Sequence, residues 1–156
     1  MLWIMAASAN PGPFAGTWVV ADQAQTAKAI ETVVEDGAQR FNFAIRPIAR
    51  GKIRKACALD HTITISGDPG KVTLDYKGDN ARVAGGPSDG TLVKIGESDV
   101  SYKVSGTTLT VTGKNEDGGK VSVYKVDGEK LSATHTLRSS SLGDPPLSWT
   151  VHYKKQ

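Results

Sequence analysis

Cysteine is almost missing from this sequence. Cys57 is alone, so no disulfide can form within the chain and stability has to come from packing. A single thiol with no motif around it reads as a small buried hydrophobe, not as a nucleophile. Long apolar runs are missing too, and nothing approaches the roughly 18 consecutive apolar residues that a membrane-crossing helix needs. There is no nucleophile elbow, no phosphate-binding glycine loop ahead of a helix and no cysteine redox pair, so the sequence names no catalytic residue and no cofactor. No ligand pair stands at a zinc spacing, which gives no metal site either. The formal charge of +3 is too small to imply a nucleic-acid partner.

One absence is local. From position 37 to 59 there is no acidic residue, yet six basic ones, Arg40, Arg46, Arg50, Lys52, Arg54 and Lys55. Such a run reads either as a solvated helix face or as a surface for an anion, a lipid headgroup or a partner. Its apolar neighbours Phe41, Phe43 and Ile45 would let one side pack while the basic side meets an anionic surface.

What is present points to β structure. At 156 residues the chain fits one hydrophobic core, and its 38% hydrophobic and 22% charged content is that of a globular protein. Seventeen glycines and seven prolines lie in small clusters, the mark of many tight turns between short strands. Phe14 to Val20 reads as a first strand. Asp22 with Gln25 then makes a helix N-terminus, and Ala27, Ile30, Val33, Val34, Ala38, Phe41 and Ile45 recur at helical spacing. Gly37 divides two helices in this reading, Pro47 ends or kinks what precedes it, and a short second helix covers 48–58. From His61 onward the period becomes two, with strands over 61–66, 71–76, 81–84, 91–95, 100–105, 107–113, 119–126, 129–138 and 147–155, and turns between them that include Gly85 to Gly90. So many consecutive strands without long crossovers favour an up-and-down antiparallel β-barrel of about 8–10 strands, with a helical insertion at 22–58 after the first strand. The expected organisation is one domain over 14–156 behind a flexible segment at 1–13. Met1 to Ala9 is apolar and ends in Ala7-Ser8-Ala9, like the tail of a signal peptide, which points to a periplasmic or secreted protein.

Phe14-Ala15-Gly16-Thr17-Trp18 resembles the F-x-G-x-W opening of lipocalins and fatty-acid-binding proteins, the calycin superfamily, and the helical segment and meander that follow extend the resemblance over nearly the whole chain. It implies a barrel that holds a small hydrophobic, lipid-like molecule, with Trp18 at the closed end under the last strand. It also implies portal helices that touch anionic membranes weakly. The chain departs from the family at the last strand, where the Arg-x-Tyr pair that often holds a carboxylate is replaced by Val151 and Tyr153, and its helical insertion is longer.

Turning each apolar face inward sends Trp18, Val20, Ile63, Val72, Leu74, Tyr76, Tyr102, Leu109, Val111, Val121, Val123, Leu131, His135, Leu137, Trp149, Val151 and Tyr153 to the interior, with His61 sharing the inward parity and His152 outside. The ligand-binding set drawn from this reading is Trp18, Phe41, Phe43, Tyr76, Tyr102, His135, Trp149 and Tyr153. The anionic-surface set is Arg46, Arg50, Lys52, Arg54 and Lys55. Two other functions fit the same architecture: a barrel enzyme of the isomerase or cyclase kind on an apolar substrate, and an interaction or inhibitor module that uses loops such as 139–146.

Overall fold

The computed structural model describes residues 12–156, so the apolar start at Met1–Ala9 and its signal-like ending lie outside the described residues. A short turn of 3-10 helix, Gly12–Phe14, leads into β1 (Gly16–Val20), followed by α1 (Gln23–Ala38), α2 (Arg46–Ala56) and nine further strands. These are β2 (Asp60–Ser66), β3 (Lys71–Gly78), β4 (Arg82–Pro87), β5 (Val93–Ile95), β6 (Ser98–Ser105), β7 (Thr108–Asn115), β8 (Gly118–Asp127), β9 (Lys130–Ser139) and β10 (Leu147–Lys155). All ten belong to one antiparallel sheet in the order β4-β3-β2-β1-β10-β9-β8-β7-β6-β5. The chain is therefore mostly β, and the sheet curls into a nearly closed barrel with both helices inserted after the first strand. β4 and β5, at the two ends of that order, do not pair with each other. Closure comes from the segment after β4, where Asp89 bridges Lys103, Gly90 N–H donates to the Tyr102 carbonyl at 2.9 Å and Val104 N–H donates to the Ser88 carbonyl at 3.0 Å.

The helical segment forms for the reasons its sequence gives, with two corrections. Asp22 caps α1, its carboxylate accepting from Gln25 N–H at 3.0 Å. Ile30, Val34 and Ala38 form the buried stripe. Gly37 does not divide two helices but lies inside α1, where a Cβ would stand 2.8 Å from Leu147 Cδ1 and 2.9 Å from Ile53 Cδ1, so the missing side chain lets α1 sit close on β10 and α2. Pro47 opens α2 instead of ending a helix, because first-turn N–H groups have no acceptor within the helix and proline's missing donor costs nothing there. The stretch Gly85 to Gly90, expected as a turn, begins as strand. A Cβ on Gly85 would meet the Val72 carbonyl oxygen at 2.3 Å and one on Gly86 the Tyr102 ring at 3.3 Å, so these glycines serve close packing at a strand.

Two shifts of parity decide what fills the barrel. Between Asp60 and Thr62 the β2–β3 register slips by one residue, a β-bulge at His61. Asp60 is consequently buried, and His61 turns out to the half-exposed surface, where its Nε2 meets Asp79 at 3.3 Å. On β8 the inward residues are Ser122, Tyr124 and Val126, not Val121 and Val123. Cross-strand neighbours share a face, and those three stand opposite His135, Ala133 and Leu131, all of which are buried. At the closed end Phe14 and Trp18 are fully buried, and the Trp18 indole N–H donates to the Phe14 carbonyl at 2.8 Å.

Candidate functional site

The helices lie over the other end of the barrel, where the β7–β8 turn and the 140–146 loop also rise. Between α2 and those strand ends is a cavity of about 900 Å3. Its apolar wall comes from Phe41, Ile45, Ile48 and Ile53 on the helical side and from Leu137 and Leu142 on the barrel side. Leu142 belongs to the loop that the sequence offered as a contact surface, and it is buried as part of the rim.

Beneath this mouth the barrel is crossed by its own side chains. Tyr76 on β3 and Tyr124 on β8 come from opposite walls, and their hydroxyls meet at 3.3 Å. Arg82, at the start of β4, places its guanidinium carbon 3.9 Å from the centre of the Tyr76 ring and donates to the Asp60 carboxylate at 2.9 Å. The Tyr153 hydroxyl donates to the Asp60 backbone carbonyl at 2.7 Å. Burial pushes the hydroxyl pKa of Tyr76, Tyr124 and Tyr153 upward, so all three stay neutral. A guanidinium, which the last strand lacks at Val151, is thus supplied by β4; it is 38% exposed and already matched by Asp60.

Between cross-brace and cavity sit His135, Trp149 and Lys120. His135 Nδ1 and Ser122 Oγ share a hydrogen bond of 2.7 Å, and the imidazole packs on Trp149 with ring centres 5.2 Å apart. Lys120 Nζ donates to the Ala56 carbonyl at the end of α2 at 3.1 Å and lies 5.4 Å from the centre of the Trp149 ring. Burial lowers the Lys120 pKa. Burial first, then the nearby charges of Lys120 and Arg82, push His135 down to about 3. Unfolded, that imidazole titrates near 6.5, so between those values the unfolded chain binds the extra proton. The contribution of His135 to stability is therefore complete above about pH 6.5 and is lost as pH falls toward 3. An NMR titration is expected to show the His135 ring neutral throughout pH 5–8.

Of the aromatic residues proposed from sequence, Phe41 lines the cavity. Trp18 belongs to the closed end. Phe43 stands on the surface, 86% exposed, and Tyr76, Tyr102, His135, Trp149 and Tyr153 are buried below the mouth. Of the basic set, Lys52 lines the cavity, Arg46 bonds the Phe41 carbonyl, and two others are engaged with α1: Arg50 with Glu35 at 2.6 Å and Arg54 with Glu31. The arginine on Glu35 holds that carboxyl below its ordinary range. Lys55 is exposed and has no carboxylate partner among the described residues. Sequence reasoning missed Asp60, Arg82, Lys120, Ser122 and Tyr124. The parity of Tyr124 was recoverable from its pairing with β9, whereas no local signal announced the bulge that buries Asp60.

No protein-family model matches the chain, and no curated protein matches it in sequence. Solved structures do match over nearly its full length. A fatty-acid-binding protein of Schistosoma mansoni, in complex with arachidonic acid, superposes with a TM-score of 0.58 at 18% identity, covering 93% of this chain and 97% of that one. The chain has the fatty-acid-binding-protein fold. Fatty-acid-binding protein 1 of Echinococcus granulosus shares this fold with a TM-score of 0.58 at 13% identity, over 92% of this chain and 97% of the other. So does the fluorescent protein UnaG, at 0.57 and 16% identity, over 92% and 97%.

Proposed function

We propose that the chain binds one small, lipid-like apolar molecule in the mouth cavity, under α2 and above the tyrosine cross-brace. The observation that carries this reading is the cavity itself, whose volume of about 900 Å3 lies within the range of small-molecule sites and which has an aliphatic floor and helix face with Phe41 among them, rimmed by polar residues. Burying a few hundred Å2 of ligand surface at about 25 cal/mol per Å2 supplies several kcal/mol before ordering costs, which suffices for micromolar affinity. The fatty-acid-binding neighbours support the same reading. A polarity-sensitive apolar dye is expected to bind at about one per chain and to be displaced by medium-chain lipids. Ile48→Asp, on an exposed lining residue, should weaken it by about tenfold, the equivalent of 1.4 kcal/mol. Absence of dye binding by the folded wild type would defeat the proposal.

The proposal extends to weak contact with an anionic membrane during ligand transfer, supported by the exposed Phe43, Ile45 and Ile48 at the start of α2 and the exposed Lys55 near its end. A basic residue near an anionic bilayer is worth roughly 1 kcal/mol, and the attraction fades within a Debye length of about 8 Å at physiological salt. Flotation should recover the protein with anionic vesicles at low salt and not with neutral ones, and Phe43→Ser with Lys55→Ala should abolish the difference. Equal recovery with both vesicle types would remove the membrane from the proposal.

A further inference from the structure

The geometry points to a phosphate monoester as the head group of the ligand: a single-chain amphiphile whose tail lies against α2 and whose doubly charged head is held at the rim of the cavity. This inference rests on the proposed binding function and adds the class of molecule. Four cations line the cavity, Lys52 from α2, Lys114 from β7, Lys120 from β8 and Arg138 from β9, against one carboxylate, Asp117. That surplus equals the formal net charge of the entire chain, +3. Of the cations elsewhere, several are matched: Arg50 and Arg54 by glutamates of α1, Arg82 by Asp60 and Lys94 by Asp99. Among the described residues none of the four lining cations has a carboxylate partner within an ion-pair distance. The opening thus gathers four cations, none of them ion-paired among the described residues, beside apolar walls, and a cleft lined by one sign of charge with apolar walls focuses the field on what enters it.

The position of these charges also separates this site from a deep carboxylate site. The guanidinium of Arg82 is occupied by Asp60, and Tyr153 spends its hydroxyl on the Asp60 carbonyl. Lys120 alone reaches inward, over Trp149, while Lys114 and Arg138 stand exposed at the strand ends. A single carboxylate would answer one of these cations and leave the others facing each other. A phosphate monoester carries close to two charges at neutral pH and offers three acceptor oxygens to donors arriving from several strands.

The test is displacement of the bound dye, below micelle concentrations and without vesicles, by three lipids of equal chain length: an acyl glycerol phosphate, the fatty acid and the neutral monoacylglycerol. Inorganic phosphate alone forms a fourth arm. The phosphate lipid is expected to bind at least about tenfold more tightly than the neutral one, with the fatty acid between them, and inorganic phosphate should not displace the dye at all. Lys114→Gln with Arg138→Gln, both exposed, should bring the phosphate lipid to within about threefold of the neutral lipid and leave the neutral lipid's affinity unchanged. Equal affinity for the phosphate and neutral lipids, or for the phosphate lipid and the fatty acid, would overturn the inference while leaving apolar binding intact. Displacement by inorganic phosphate at similar concentration would overturn it as well, by showing an anion site independent of the chain. Failure of all three lipids and of the dye would defeat the binding function beneath it.

Discussion

Trp18→Ala is expected to destabilise the protein by about 3–5 kcal/mol, measured by urea denaturation, and to lower Tm by roughly 10 °C. The indole is fully buried against Phe14 at the closed end, and the Lys155 ammonium lies 5.5 Å from its ring centre. Removing it leaves a cavity between the first and last strands that their backbones cannot collapse to fill, since Trp18 pairs with Ile63 on one side and Lys155 on the other. Trp18→Phe keeps most of the apolar volume and orphans the Phe14 carbonyl, so its cost should be nearer 1–2 kcal/mol, by the usual penalty for an unsatisfied buried group of about that size. Ligand affinity should survive in the phenylalanine variant, because this residue lies away from the mouth. A loss of under about 1 kcal/mol in the alanine variant would show that the closed end is not where packing is concentrated.

Arg82→Met should lower stability by about 2–3 kcal/mol, less than the about 3–5 of a fully buried pair, because the arginine side chain is 38% exposed. The damage is done to its partner. Asp60, only 6% exposed, would be left charged inside the barrel with its nearest cation gone. Adding Asp60→Asn removes that charge, and the double variant is expected to return to within about 1 kcal/mol of the wild type. A double variant as unstable as the single one would mean that the cost came from the Tyr76 ring losing its guanidinium cover and not from the stranded carboxylate.

The fold was legible because its signals were local and repeated. Alternation along β3, β9 and β10 placed Val72, Leu74, Tyr76, Leu131, His135, Trp149, Val151 and Tyr153 inside, where they are found. Phe14-Ala15-Gly16-Thr17-Trp18 marked the closed end, and the helical spacing found α1 with its Asp22 cap. The interior chemistry was far less legible. On β8 both faces carry apolar residues, so alternation alone favoured the valines, and only pairing with β9 selects the face that brings in Lys120, Ser122 and Tyr124. His61 and Asp60 exchanged roles through one extra residue in a ladder, which no count of alternating positions can register. Arg82 falls inside the expected strand 81–84 with no motif to mark it, yet its register opposite Tyr76 turns it over that ring. The basic segment was visible, but its charge balance was not, since the glutamates that answer Arg50 and Arg54 lie on α1, outside the window in which the excess was counted.

The incomplete closure between β4 and β6 gives the wall one soft joint. Parting β8 from β9 would undo ten paired positions, whereas the backbones at the joint near Asp89 meet, among the described residues, in one bridge made of two hydrogen bonds. The barrel behaves as a ribbon laced at a single place: its girth can change there without disturbing any full ladder, and swelling to admit a guest falls on that lacing before any other part of the wall gives.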